Sequence, residues 1–389
     1  MHSIQSIYNV LVKNLDKQLV EYYSNQHFKE IVIWGTGSNA LFLLKILKNA
    51  GLQTKIKAFC NSFHENGKDE FFENYIVYSP TEIIENFKNS SILVASFNKK
   101  AIIEYSKKIS NEFCFFIEDE SIINLEKNYA RLQNIEVLPK IEFSIIIPTF
   151  NRGNLISTAI DSALNQDFSG QYEIVVVDDG STDNTLQLIK NKYSTEVKIG
   201  KLKVFQSPHL GVSGARNIGL ENSLGNWICY LDSDNTITND YLSTFVEQII
   251  LNPYCEFFYA QHIVNNKIIE HEYDRESLLK ENYIDMGIIC HSKSLYLTYG
   301  GFDVKLSRLV DWDLIIKYTG HTVPVYVPKI ILNYNNSEKL TDRITKSYSF
   351  YENYEKITSK NLNEIRLYKK MAILENQLNC ILSKMNNKE

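Results

Sequence analysis

Apolar side chains in this chain fall into two alternating patterns, helical stripes and short unbroken runs, and the alternation predicts an α/β protein. Ile4, Ile7, Tyr8, Leu11, Leu15 and Leu19 recur at steps of three or four, one face of a helix within residues 1–27. At Glu30 the pattern changes to Ile31-Val32-Ile33-Trp34, then Gly35-Thr36-Gly37-Ser38-Asn39-Ala40, then a helical stripe through Leu44 and Leu47. That order reads as strand, glycine turn, helix. Further strands are predicted at Lys55 to Phe59, Ser91 to Ala95 and Phe113 to Ile117, with helices after Pro80 and from Lys99 to Ile109. Alternating strands and helices imply a parallel sheet covered on both faces. From about Asn124 to Glu142 no strand pattern appears and Pro139 interrupts the segment, so a first domain is expected over 1–138, led by its amphipathic helix.

A second α/β domain is expected over 141–345. Ser144 to Ile147 is a strand ending in Pro148-Thr149-Phe150-Asn151-Arg152, with a helix from about Leu155. Glu173 to Val177 ends in Asp178-Asp179-Gly180-Ser181. Lys201 to Phe205 leads into a loop closed by Gly211-Val212-Ser213-Gly214-Ala215-Arg216-Asn217, and Trp227 to Leu231 ends in Asp232-Ser233-Asp234. The tail, 346–389, carries Leu367, Met371, Leu374, Leu378, Ile381 and Met385 in heptad-like steps. It reads as a helix packed on its own chain or as a homo-oligomer contact.

Composition narrows the function classes. A chain of 389 residues, 44% hydrophobic and 22% charged, buries a large core and suits two or three domains. A net charge of −5 opposes nucleic-acid binding, which needs an excess of Lys and Arg to displace counterions. No apolar run reaches the roughly 18–20 residues that span a bilayer, and Asp16 and Glu21 stand where a signal peptide is apolar or small. The expected location is the cytoplasm, with peripheral contact at the inner face of the cell membrane left open. Cys60, Cys114, Cys229, Cys255, Cys290 and Cys380 are far apart, form no zinc-type spacing, and read mostly as buried thiols.

Every polar cluster of the second domain follows the carboxyl end of a predicted strand, where ligands bind in open α/β sheets. Asp232 and Asp234 flank one residue on a tight turn, which suits a hard cation such as Mg²⁺ or Mn²⁺ that shares substrate phosphates. The competing reading is turn and cap chemistry ahead of a helix near Tyr241.

Over roughly 143–340 the ordered motifs resemble the family 2 glycosyltransferases of GT-A fold. Pro148-Thr149-Phe150-Asn151-Arg152 resembles the family's Pro-Thr-x-Asn-Arg, Val177-Asp178-Asp179-Gly180-Ser181 its Val-Asp-Asp-Gly-Ser, and Gly214-Ala215-Arg216-Asn217 its Gly-Ala-Arg-Asn. The resemblance implies a nucleotide-sugar donor, with UDP foremost, held by Pro148, Thr149, Asn151, Arg152, Asp178, Asp179, Gly214, Arg216, Asp232 and Ser233. Thr149, Arg152 and Asp179 would line the nucleobase pocket. Asp234 would ligate Mn²⁺ or Mg²⁺, with Asp232 as its donor-contacting neighbour and possible second ligand. Gly300-Gly301-Phe302-Asp303 and Val310-Asp311-Trp312-Asp313-Leu314 resemble the family's Gly-Gly-Phe-Asp and Glu-Asp-x-Asp-Leu segments, making Asp311 the general base of an inverting displacement.

On the acceptor side the resemblance points to Trp312 and Gly301, with Trp312 either a flat face for a sugar ring or core, and Asp313 a helix cap. The acceptor would be a hydroxyl of a bacterial surface glycan or glycolipid, in capsule or lipooligosaccharide, reached by hexosyl or N-acetylhexosaminyl transfer. Three positions depart from the pattern: Val310 replaces an acid, Lys317 an Arg, and no His stands in Leu332-Asn333-Tyr334-Asn335, leaving Asn335 or water to complete a metal shell. These departures keep open a binding or assembly module without catalysis. His209, His262 and His291 read as loop or core residues.

In the first domain Gly35-x-Gly37-x-x-Ala40 fits a dinucleotide turn, but the second strand ends at Phe59-Cys60-Asn61 with no acid for ribose hydroxyls. The domain resembles Rossmann-like accessory domains of sugar enzymes through its Gly-x-Gly start and Ser79-Pro80-Thr81-Glu82. Scaffold, acceptor-handling, assembly and NAD-binding roles all stay open there.

Overall fold

The first apolar stripe folds as α1 (Ile4–Ser24), which buries Ile7, Leu11, Leu15, Leu19 and Tyr23. The computed structural model describes residues 2–62, 70–96, 99–110, 112–116, 120–133, 135, 137–264, 267–334, 349–368 and 370–371. The chain divides into one unit over 5–138 and another over 139–389 with the first four residues.

In the first unit, β1 (Ile31–Trp34) is followed by α2 (Ser38–Asn49), β2 (Ile56–Cys60), β3 (Phe71–Phe72), β4 (Tyr75–Tyr78), α3 (Pro80–Asn86), β5 (Ser91–Val94), α4 (Lys99–Ile109) and α5 (Glu120–Gln133). The sheet order is β3-β4-β2-β1-β5, and β1 pairs in parallel with β2 and β5. Gly35 turns the chain at φ 136°, a conformation glycine adopts without strain. Ser79 caps α3 in a reciprocal capping box with Glu82, so the Ser-Pro-Thr-Glu segment has a local structural use.

Two expectations for this unit are corrected. The sheet is not wholly parallel, because β3 and β4 form an antiparallel pair. Among the described residues, Phe113 to Ile117 yields no strand, only a single bridge from Phe115 to Ile92, and Ile117 lies outside them. Phe113 and Phe115 pack their rings on Trp34 instead, with centroids 5.2 and 6.2 Å away. The segment that shows no strand pattern begins inside α5, whose buried stripe is Ile122, Tyr129 and Leu132.

The second unit contains β6 (Phe143–Thr149), α6 (Ile156–Leu164), β7 (Tyr172–Asp178), α7 (Thr185–Lys192), α8 (Ser194–Lys198), β8 (Leu202–Gln206), α9 (Gly211–Asn222), β9 (Trp227–Tyr230), β10 (Thr236–Ile237), α10 (Tyr241–Leu251), β11 (Phe257–Val264), β12 (Lys267–Ile269), α11 (Arg275–Lys280), β13 (Ile289–Ser292), α12 (Lys293–Tyr299), α13 (Val310–Thr319), β14 (Val325–Asn333) and a helix at Phe350–Lys360. Its sheet runs β10-β14-β11-β13-β9-β6-β7-β8, with β12 paired to β11. β6, β7 and most of β9 are buried throughout, as the continuous Ile and Val runs of an internal parallel sheet require. Because β8, β7, β6 and β9 pair in parallel, their carboxyl ends all open on one edge. The antiparallel pairing of β13 with β9 then makes the sheet mixed.

The helix Phe350–Lys360 packs on its own chain. Tyr354 stacks on Trp312 at 5.3 Å, and Glu364 makes two bonds to Arg275 at 2.8 and 2.9 Å. Leu367 and Met371 are exposed, while Leu374, Leu378, Ile381 and Met385 lie outside the described residues, as does Cys380. Among the described residues Cys60, Cys229 and Cys290 are buried, Cys255 is half-buried, Cys114 is exposed, and no helix is long and apolar enough to cross a membrane.

Candidate active site

The parallel register brings the predicted strand ends together: Thr149 at the end of β6 lies directly beside Asp178 at the end of β7. Both are buried, and neither Thr149 Oγ1 nor either Asp178 oxygen has a hydrogen-bond partner among the described residues. Ser213 Oγ and Arg216 Nε, on α9, are buried and unpartnered in the same way. Buried polar atoms are ordinarily paired, and each orphan carries a desolvation cost of about 1–3 kcal/mol.

The other residues of the two strand-end loops are committed to holding the loops. Asn151, at φ 51°, accepts Thr182 N–H at 2.8 Å and Asp183 N–H at 3.3 Å on its side-chain oxygen, while its own N–H donates to Ser181 Oγ at 2.8 Å. Asp179 accepts Leu210 N–H at 2.7 Å, Gly211 N–H at 2.8 Å and Ser207 Oγ–H at 2.5 Å, so its carboxylate fixes the start of α9. The base-contacting task assigned to Asp179 therefore falls on a carboxylate whose oxygens already accept internal donors. Arg152 N–H donates to Thr185 Oγ1 at 2.9 Å. Pro148, one residue before Thr149, is buried within β6. Gly214 lets α9 pass Leu210, whose Cβ would lie 2.4 Å from an added methyl. Phe150 and His209 lie ring to ring at 4.2 Å on the rim.

After β9 the chain turns at Asp232, closed by Asn235 N–H to Asp232 O at 3.0 Å, and continues as β10. The cap reading is thereby corrected: a strand follows the turn, and Asp240 occupies the cap position of α10. Ser233 is buried in the turn. Asp232 Oδ1 accepts Arg216 Nη2–H at 2.7 Å, and the guanidinium sits 5.4 Å over the Phe302 ring. Among the described residues no three His, Cys, Asp or Glu side chains are grouped to hold a metal, and Asn335 lies outside them. Asp232 and Asp234 nevertheless supply the hard oxygen donors that suit a cation which keeps waters and shares a diphosphate.

Asp311, in the first turn of α13, faces the same guanidinium. Burial pushes its carboxyl up, Arg216 pulls it down, and Asp232 adds to the rise. Asn282 donates Nδ2–H to Asp311 Oδ2 at 3.0 Å. Asp285 is pushed up to about 7, chiefly by burial and then by Asp232 and Asp311, against Gly287 N–H and Arg216. Arg216 thus bonds Asp232 and acts electrostatically on Asp285 and Asp311. Sequence reasoning missed Asn282 and Asp285, which lie just before β13 with no periodic signal; an Asn-x-x-Asp spacing was the only trace.

One acceptor assignment is corrected. Trp312 is 1% exposed, donates its indole N–H to Leu278 O at 2.6 Å and stacks on Tyr354, so it has no ring face to offer a sugar. Gly301 is required for clearance: an added Cβ would stand 2.2 Å from Asn217 Oδ1. Asn217 clamps the next residue, accepting Phe302 N–H at 2.7 Å and donating to Phe302 O at 2.9 Å. Lys317, where Arg is common, donates to Gly301 O. Asp313 does not cap α13; Lys360 donates to it at 2.7 Å and to Asp303 at 2.7 Å. His291 is core, its ring between Tyr230 Oη at 2.9 Å and Ser292 O at 2.8 Å, and burial drops it to about 4.

In the first unit the space beside the glycine turn, between Asn39, Ala95 and Glu126, is only about 20 Å³. That is room on the scale of one water.

Residues 144–296 match the model of glycosyl transferase family 2. Glycosyltransferase GlyA of Streptococcus pneumoniae is 31% identical over 155 residues, 36% of this chain and 22% of the relative. The GalNAc(5)-diNAcBac-PP-undecaprenol beta-1,3-glucosyltransferase of Campylobacter jejuni is 29% identical over 221 residues, 55% of this chain and 62% of the relative. The chain spans less than two thirds of the length of these relatives. The crystal structure of S. aureus TarS 1-349 with UDP-GlcNAc superposes at a TM-score of 0.48 and 22% identity, covering 56% of this chain and 64% of that one. With the ordered strand-end motifs assembled on one sheet edge, residues 144–296 belong to glycosyl transferase family 2.

Proposed function

We propose that this chain is an inverting glycosyltransferase that moves a sugar from a nucleoside-diphosphate sugar, UDP foremost, to a hydroxyl of a bacterial surface glycan. The observation that carries it is the set of buried polar atoms without a partner among the described residues at Thr149 and Asp178, on adjoining strand ends, and at Ser213 and Arg216, on the helix whose Arg216 bonds Asp232. Thr149 and Asp178 offer an acceptor-rich corner to the N–H and hydroxyl groups of a nucleoside. Arg216, its Nη2 held by Asp232 and its Nε unspent, meets the diphosphate. Asp234, with Asp232 beside it, would hold Mn²⁺ or Mg²⁺, whose charge favours departure of the nucleoside diphosphate.

Asp311 takes the proton of the acceptor hydroxyl as that oxygen attacks the anomeric carbon from the face opposite the leaving group. Its raised proton affinity moves it toward the value an efficient base has at neutral pH. The name of the Campylobacter relative, which contains a lipid-linked diphosphate, PP-undecaprenol, supports a glycan carried on a lipid as the acceptor.

The test is release of UDP from UDP-glucose, UDP-galactose, UDP-GlcNAc and UDP-GalNAc with Mn²⁺ and with EDTA. Asp311→Asn should lower the rate at least about 100-fold, the usual worth of a positioned base, and Asp234→Ala should lower it toward the rate seen with EDTA. Rates within a few-fold of the unmodified protein would refute the assignment, and binding without turnover would favour a non-catalytic module.

A further inference from the structure

Asp311 is held by a side chain that nothing so far gives a task. Asn282 Nδ2–H donates to Asp311 Oδ2 at 3.0 Å, and Asn282 Oδ1 accepts the backbone N–H of Ile284 at 3.2 Å. The second bond decides the first. A side-chain amide can flip by half a turn, but here the flip would set Nδ2 against the Ile284 N–H and Oδ1 against a carboxylate, losing both bonds. The amide is therefore locked with its donor toward Asp311. Tyr283 Oη–H donates to Asp274 O at 3.0 Å and accepts Asp274 N–H at 3.0 Å, tying the same turn to the start of α11. Trp312, next to Asp311, bonds Leu278 O at the other end of α11. Two adjoining residues of α13 are thus fastened to one short stretch, 274–284.

We propose that Asn282 is a positioning residue for Asp311: it occupies Oδ2 and leaves Oδ1 as the oxygen that receives the acceptor's proton. A carboxylate with both oxygens free rotates about its last torsion and presents either one. With Oδ2 taken, one oxygen is presented in one orientation, which is what a displacement from a single face of the sugar needs. The groups that also act on Asp311 are Arg216 from α9, the backbone N–H groups of Trp312 and of Asp311 itself at the start of α13, Asp232 from the turn after β9 and Asp285 from the turn before β13. Arg216 and Asn282 favour the charged carboxylate, while Asp232 and Asp285 oppose it. Asn282 favours it without adding charge, so it holds the base without competing for the donor's diphosphate. The inference rests on the reading of Asp311 as the general base.

The test follows the Asp311 carboxyl by carbon NMR in the full chain labelled at aspartate Cγ, the signal being assigned by its absence in Asp311→Asn. A donated hydrogen bond stabilises the charged form, so Asn282→Ala should raise the Asp311 midpoint by about one pH unit. The nearly isosteric Asn282→Asp, which sets a carboxylate against a carboxylate, should raise it further. In the unmodified protein the Asn282 side-chain amide proton should shift with the same midpoint as Asp311, a readout that needs no variant to fold. A flat Asn282 signal, or an unchanged Asp311 midpoint in folded Asn282→Ala, overturns the proposal. In the UDP-release assay Asn282→Ala should lower kcat about tenfold with donor KM within twofold; a raised KM at unchanged kcat also overturns it. Should Asp311→Asn keep full activity while the Asn282 and Asp311 signals still titrate together, the base reading fails and the contact stands.

Discussion

Replacing Gly301 with alanine tests whether this glycine serves clearance or substrate contact. The new methyl would lie 2.2 Å from Asn217 Oδ1 and 3.2 Å from its Cγ, with Leu220 Cδ1 at 3.2 Å. Gly301 is not in the left-handed region, so backbone strain plays no part. The clash forces Asn217 off Phe302, breaking the bonds of 2.7 and 2.9 Å to a residue that is 4% exposed. Two buried bonds at about 1 kcal/mol each and a local overpacking cost of about 1 kcal/mol give about 3 kcal/mol. For a unit of this size that corresponds to a fall in Tm of about 6–12 °C. Scanning calorimetry of the full chain reads it on the transition that shifts when a nucleotide-sugar is bound. In an Asn217→Ala background the clashing amide is gone, and Gly301→Ala should cost under about 1 kcal/mol. Equal costs in the two backgrounds, or a Tm change under 2 °C in the single variant, would refute the clearance argument.

Asp285 makes stability depend on pH in a stated direction. Its folded value of about 7 lies above the usual carboxyl range, so between those two values the folded chain holds a proton that the unfolded chain has released. The stabilisation is present below the unfolded value and is lost as pH rises through about 7. Asp285→Asn should therefore flatten the decline of Tm between pH 4 and 8, and an unchanged slope would count against it. Trp312→Phe keeps the stack on Tyr354 but loses the 2.6 Å bond to Leu278 O, so it should lower Tm by several degrees while acceptor KM stays within about twofold. A large rise in acceptor KM at unchanged Tm would restore Trp312 as a sugar platform.

The period of apolar residues determined the α/β character, the strand ends and the polar clusters beyond them. Ile145-Ile146-Ile147 and Val175-Val176-Val177 admit little but buried parallel strands, and polar residues directly after them have nowhere to go but the sheet edge. Local chemistry likewise marked Asp232-Ser233-Asp234 as a turn. What the sequence left open are choices among partners far apart in the chain. Asp178 and Asp179 are adjacent and identical in kind, yet the register beside Thr149 leaves the first without a partner among the described residues, and the loop before α9 saturates the second. Trp312 reads equally well as platform or core until Tyr354 closes over it. Asn282, Asp285 and Lys360 have no pattern of their own; their meaning comes from Asp311, Arg216 and Asp313, 29 to 69 positions away. Periodicity reports which side of an element is buried, whereas hydrogen bonds and charge pairs depend on which atoms the packed layers bring within 3 Å, and only the tertiary structure decides that.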